Sequence, residues 1–161
     1  MGLNFDKHKE HLEKDIRAEL QKKFGSAFEI EGIYDIVLSS YCPTFLFKIN
    51  LENYKEKLDI LVDGSDLHLK WGEKPTYGIQ YKYLPETLEE GLGRIKTYLD
   101  QPEQIFLEPL TPENDYLKIR AIEAMIENIF DGKTKTDKWE KPVEKGENYR
   151  IIITSILPSY R

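Results

Sequence analysis

The stretch from residue 58 to residue 99 constrains the fold more than any other part of the chain. It opens on the apolar run Leu58–Val62, and Asp63-Gly64 then gives a strong turn signal. Two runs with alternating apolar residues follow, over residues 67–71 and 77–83, before an amphipathic run that ends near residue 99. Alternation with period two predicts half-buried strands, and apolar spacings of three to four predict a helix. The stretch therefore predicts an antiparallel sheet that packs against a helix.

The first third of the chain predicts a helix followed by strands. Apolar residues recur every four positions over residues 5–24, and Gly25 follows as a helix stop. Residues 27–38 alternate weakly and predict one or two short strands broken near Gly32. Residues 44–51 alternate cleanly and predict a half-buried strand.

The last third predicts further mixed structure. Residues 104–110 predict a short strand, and Thr111 with Pro112 predicts the start of a helix that runs to about residue 130. Residues 133–148 predict a charged loop, and residues 149–157 predict an apolar strand inside a sheet. The predicted class is α+β (α/β-like): one domain over residues 1–161, with a mixed central sheet of five to six strands flanked by three helices.

Length, charge and cysteine content limit the function classes. A chain of 161 residues favours one domain with one core. The net charge of −6 argues against a global basic field that would attract nucleic acid, so DNA binding requires a local basic face. The lone Cys42 excludes an internal disulfide. The polar start of the sequence does not resemble a signal peptide, and no apolar run reaches the ~20 residues of a membrane span, so we expect a cytoplasmic location without a membrane partner.

The central stretch also contains residues that suggest chemistry. Asp59 lies at the start of one predicted strand, and Gln80 and Lys82 share one face of a later strand. The order of helix, strands, Asp, hairpin, Gln-x-Lys and helix resembles the core of PD-(D/E)xK nucleases, which are restriction-endonuclease-like. The resemblance covers residues 5 to about 110. In this chain glutamine replaces the family's usual acid, as in some branches of the family, and no proline precedes the aspartate.

The resemblance implies a metal-dependent nuclease that hydrolyses or binds DNA phosphodiesters. Asp59 or Asp66, together with Gln80, would hold Mg²⁺ or Mn²⁺, because hard cations prefer oxygen ligands. The metal would activate a water molecule that Lys82 positions. Family members often carry a glutamate on the helix before the sheet, and Glu13 is the first choice for that role.

Several assignments within this prediction stay open. Asp59 precedes an apolar run, as the family aspartate does, whereas Asp66 directly precedes the neighbouring strand and has equally good hairpin geometry. Glu19 is the second choice for the helix glutamate. Lys70, with other lysines, would contact phosphate near the site.

The alternative function belongs to another class. A small acidic α+β protein is also typical of a non-catalytic protein-binding module, such as an immunity or antitoxin-type inhibitor of a basic protein, or a degenerate nuclease fold. In that case Asp59, Asp63 and Asp66 would form an acidic patch. The predicted partners are therefore DNA or a basic protein, and a homodimer is compatible with either function.

Overall fold

The structure, a computed structural model, describes residues 5–38, 44–73, 88–101, 111, 113–130, 138–139 and 148–153. The described elements are the following, in chain order: α1 (Phe5–Phe24), β1 (Phe28–Leu38), β2 (Thr44–Leu51), β3 (Lys57–Asp63), β4 (Asp66–Trp71), α2 (Leu88–Asp100), α3 (Glu113–Phe130), β5 (Lys138–Trp139) and β6 (Asn148–Ile153). The predicted α+β class with three helices is confirmed. Among the described residues, no helix is both long and apolar enough to span a bilayer.

The strands form one sheet in the order β4-β3-β2-β1-β6-β5. Strands β1 to β4 form an antiparallel meander, and β6 pairs with β1 in parallel. The turn between β3 and β4 lies where the sequence predicts it: Asp63 pairs with Asp66, and Gly64 has a φ of 63°, a conformation that glycine adopts without strain. Gly25 has the same φ of 63° and ends α1 as predicted.

The helices cover the two faces of the sheet. Ile16 and Leu20 of α1, with Leu92 and Ile95 of α2, belong to a large apolar cluster on one face, which we call the α1/α2 face. Side chains in a strand alternate between the two faces of the sheet. Leu46 of β2 and Leu61 of β3 therefore point to the other face, where α3 packs on them and which we call the α3 face. Any pair of neighbouring residues in these strands is therefore divided between two different environments.

Strand β1 is one continuous strand, which is one of the two predicted alternatives. Its irregularity lies near Gly32, as predicted, where the register with β2 shifts between Ile30 and Gly32. A bulge inserts one extra residue and thus allows Ile30 and Ile33, which are an odd number of positions apart, to reach the same cluster.

Other predicted elements are only partly described. The predicted charged loop contains the short strand β5, which pairs with β6, so residues 138–139 are not loop. The predicted C-terminal strand is described up to Ile153. The predicted strands over residues 77–83 and 104–110 lie outside the described residues.

Candidate functional site

Asp59 stands at the centre of the polar site on the α3 face. The register pairs Lys48 of β2 with Asp59 of β3, and Asp59 with Lys70 of β4, so a lysine, an aspartate and a lysine form a row across three strands. The Lys70 Nζ donates to Asp59 Oδ2 at 3.1 Å, and the Lys48 Nζ lies 3.5 Å from Asp59 Oδ1. Asp59 is only 1% exposed, so this carboxylate exchanges water for two ammonium groups.

Helix α3 adds a second carboxylate above this row. Glu123 forms an ion pair with Lys48 through a hydrogen bond to Oε2, and its Oε1 lies 3.5 Å from the Lys70 Nζ. Arg120, one turn earlier on α3, contacts Glu123 Oε1 at 3.4 Å from a more exposed position. We call Lys48, Asp59, Lys70 and Glu123 the buried ion cluster. Its two lysines balance its two carboxylates, and Arg120 adds one positive charge at the edge.

Lys70 is fully enclosed although its side chain is charged. Its ammonium group donates hydrogen bonds to Asp59 and to the Gly72 carbonyl at 2.7 Å, and Glu123 Oε1 lies 3.5 Å away as a third, ionic partner. The Tyr116 ring of α3 lies over the same nitrogen, with its centroid 5.9 Å away. This complete set of partners explains how a lysine that is 1% exposed is accommodated inside the protein.

The two carboxyl groups of the cluster have pKa values that move apart. Burial raises the pKa of Asp59 to about 6, and a hydrogen bond with Glu123 adds to the rise. Burial acts in the same direction on Glu123, but hydrogen bonds from Asp59 and Lys48 outweigh it and lower the pKa of Glu123 to about 2. Asp59 is thus the group that retains a proton longer, because it is the more buried one and Arg120 contacts only Glu123.

Further polar contacts hold α3 along the sheet. Asp115 accepts from the Leu69 backbone N–H at 3.4 Å and lies 2.8 Å from the His68 Nδ1. Lys118 forms a 2.9 Å ion pair with Asp63, whose pKa is lowered chiefly by this contact. Helix α3 is therefore positioned by directional side-chain contacts at several points, in addition to its apolar packing.

The structure does not bring all the predicted site residues together. Gln80 and Lys82 lie outside the described residues. Asp66 is exposed at the β3–β4 turn, four residues along β4 from Lys70, which corresponds to about 13 Å at about 3.3 Å per residue. Glu13 lies on α1, which packs on the opposite face of the sheet, and it pairs with Arg17 at 3.0 Å.

Two surface assignments from the sequence are wrong. Lys70, predicted to contact phosphate, is buried and paired with Asp59. The predicted acidic patch does not form, because Asp59 is buried and Asp63 forms an ion pair with Lys118. Asp66 remains as the exposed member of that set.

The cluster fits a divalent metal poorly. Among the described residues, no group of three or more His, Cys, Asp or Glu side chains could hold a metal ion. Asp59 Oδ1 is buried without a hydrogen-bond donor and could accept a cation, but the Lys48 ammonium already lies 3.5 Å from it. With two lysines and Arg120 beside two carboxylates, the local charge is already positive, and a divalent cation would have to displace a lysine.

A small pocket opens beside the cluster. It has a volume of about 170 Å³ and is lined by Tyr34, Leu46, Lys48, Glu123, Ile126 and Glu127. Of the cluster, Lys48 and Glu123 line this pocket, whereas Asp59 and Lys70 do not. Solvent thus contacts the outer ion pair, Lys48 with Glu123. The inner ion pair, Asp59 with Lys70, is enclosed beneath α3.

The sequence held a signal for this site that the prediction did not use. Glu123 falls inside the apolar stripe of α3, between Ile119 and Ile126, where a charged side chain requires a buried partner. Lys48 and Lys70 occupy the polar positions of alternating strands, which normally indicates solvent. Searches against protein-family models, curated proteins and solved structures found no significant match to this chain.

Proposed function

We propose that this chain is a non-catalytic module that binds a basic protein partner. One observation carries the proposal: Asp59, which the resemblance assigns to the metal, and its partner Lys70 are each 1% exposed and neutralise each other beneath α3. A catalytic carboxylate has to reach a substrate, and within the described part of the chain α3 covers these atoms, so a phosphodiester would reach them only after α3 moves. The net charge of −6 supports a basic partner rather than DNA.

The proposal includes a degenerate nuclease fold as the origin of the core. We also propose that the sheet is a mixed, restriction-endonuclease-like sheet of five to six strands. The parallel pairing of β6 with β1 supports this part of the proposal. In such a fold, Lys48 would take the place of a metal beside Asp59. Residues that once bound a cofactor would then stabilise the docking of α3.

A metal-dependent nuclease is the second candidate, and one observation favours it. Asp59 and Lys70 lie on adjacent antiparallel strands and point to the same face, as the resemblance requires, with Lys70 in the place expected of Lys82. Glu123 would supply the second carboxylate in place of Gln80. This candidate would require Mg²⁺ or Mn²⁺ to displace Lys48 from Asp59 and Glu123, and α3 to move before DNA could enter.

Nicking of supercoiled plasmid DNA separates the two candidates. We expect no cleavage with Mg²⁺ or Mn²⁺, and no heat of binding when either metal is titrated into the protein. The matched variants are Asp59→Asn in the cluster and Asp66→Asn at the exposed turn, which remove the same charge. Metal-dependent nicking that is lost in Asp59→Asn and kept in Asp66→Asn would overturn the proposal in favour of the nuclease.

The binding half of the proposal has its own test. The protein should be retained on immobilised poly-L-lysine at low ionic strength and released at about 0.5 M salt, where charges are screened within a few ångströms. Passage through the column without retention at low salt would contradict a basic partner, whatever the nicking assay shows.

A further inference from the structure

A groove on the α1/α2 face is open to solvent at the β3–β4 turn. Its volume is about 280 Å³, larger than the pocket beside the ion cluster. The residues that line it include Leu12, Asp15, Ser65, Asp66, Leu67 and Leu88, and we call it the acid-rimmed groove. It thus lies between α1, the turn and the start of α2, on the side of the sheet away from the ion cluster.

The walls of the groove combine apolar and acidic side chains. Leu12, Leu67 and Leu88 are partly buried and pack against the large apolar cluster, so each presents some apolar surface to the groove. Asp15 and Asp66 are exposed, and neither forms an ion pair with any residue in the described ranges. The buried aspartates Asp35 and Asp59, by contrast, each contact a lysine.

We infer that the acid-rimmed groove binds a basic amphipathic segment of a protein partner. Apolar side chains of that segment would cover Leu12, Leu67 and Leu88, and its lysine or arginine side chains would pair with Asp15 and Asp66. The inference rests on the proposed function and specifies the surface and the chemistry of the partner. Charge complementarity selects this occupant, because nucleic acid would meet two like charges at the groove. A second copy of this acidic chain would also meet repulsion there.

A labelled peptide tests the groove directly. The probe carries leucines at helical spacing with lysines between them, and its binding is measured by fluorescence anisotropy at low salt. One control peptide replaces lysine by glutamate, and another replaces leucine by serine. The wild-type protein should bind the leucine–lysine peptide more tightly than either control.

Matched protein variants locate the contact. Asp15→Asn/Asp66→Asn removes two charges at the groove, and Glu10→Gln/Glu29→Gln removes two exposed charges elsewhere. We expect the groove variant to lose about fivefold in affinity, since two exposed ion pairs disappear, and the control variant to change less than about twofold. Ser65→Lys places a positive charge at the groove wall, which would repel the lysines of the peptide. This variant should weaken binding without altering either aspartate.

The possible failures are distinguishable. Equal losses in the two double variants would overturn the groove as the docking site, while leaving a basic partner in place. No binding of the lysine peptide by wild-type protein, together with no retention on poly-L-lysine, would overturn the proposed function as well. Self-association in sedimentation that disappears in Asp15→Asn/Asp66→Asn would overturn the protein partner and assign the groove to a second copy.

Discussion

The two faces of the sheet are built on different physical principles. Among the residues whose burial is described, fifteen form one buried apolar cluster on the α1/α2 face and five form the apolar cluster on the α3 face. The α3 face places the buried ion cluster where further apolar residues would otherwise pack. Apolar burial is non-directional and tolerates small shifts, but a buried ion pair is favourable only with complete partners. The position of α3 therefore depends on matched charges, whereas the positions of α1 and α2 depend mainly on the apolar surface area that they bury.

The largest expected effect comes from removing one charge of the inner pair. Lys70→Ala should lower the free energy of unfolding by about 3–5 kcal/mol, because it leaves Asp59 buried without its closest partner. The measurement is urea unfolding followed by circular dichroism. The exposed pair between Lys96 and Asp100 is the control, and Lys96→Ala should cost less than about 0.5 kcal/mol.

A double variant sharpens this test of the α3 face. Asp59→Leu/Lys70→Met replaces the inner pair by apolar groups and should recover most of the loss. Equal destabilisation in the single and double variants would mean that Lys70 acts through packing rather than charge.

The α1/α2 face should respond to volume instead of charge. A Cβ added at Gly91 would lie 2.9 Å from the Leu69 Cδ2, whereas one added at Gly93 would meet nothing within 4 Å. Gly93→Ala should stabilise α2 by up to about 1 kcal/mol, and Gly91→Ala should be at least about 1 kcal/mol less stable than Gly93→Ala because of overpacking. Thermal unfolding of the two variants checks the difference, and equal stability would show that α2 does not pack closely on β4.

The pH dependence of stability should come from the α3 face. The pKa of Asp59 is about 6 in the folded protein against an ordinary value of 3.8, so the folded state binds the extra proton between these values. Stability from this group therefore falls as pH rises through that window, by about 1 kcal/mol between pH 5 and pH 7. The pKa of Glu123 is lowered to about 2, so this group makes stability rise with pH, but only below pH 4.5. It therefore does not affect the change in stability between pH 5 and pH 7.

Unfolding at several pH values checks this contribution. Asp59→Asn should flatten the profile between pH 5 and pH 7, whereas Asp66→Asn should leave it unchanged. An identical slope in wild type and Asp59→Asn would assign the pH dependence to another group.

The smallest effect is expected at the acid-rimmed groove. Asp15→Asn/Asp66→Asn should change the free energy of unfolding by less than about 0.5 kcal/mol, because both carboxylates are exposed and form no ion pair within the described residues. Chemical denaturation of the variant checks this. A large loss of stability would show that these charges serve the fold and would weaken the use of this variant in binding assays.

Sequence by itself determined the local elements of this protein. Apolar residues at every fourth position, followed by Gly25, predicted α1. The alternation over residues 44–51 predicted β2, and Asp63-Gly64 predicted the hairpin turn. These signals are local, because hydrogen bonds in a helix or a tight turn join residues near one another in the chain. The apolar run Leu58–Val62 also placed Asp59 on a strand, but it did not indicate what covers Asp59.

Only the tertiary structure decided the chemistry of the site. Lys48, Asp59 and Lys70 become a row through strand register, and Glu123 reaches them from a helix more than fifty residues further along the chain. A polar position on a strand normally indicates solvent, and here α3 covers it instead. Register and layer packing are long-range properties that residue spacing does not encode. For this reason, Asp59, which was expected to bind a metal, is found paired with Lys70 in the interior.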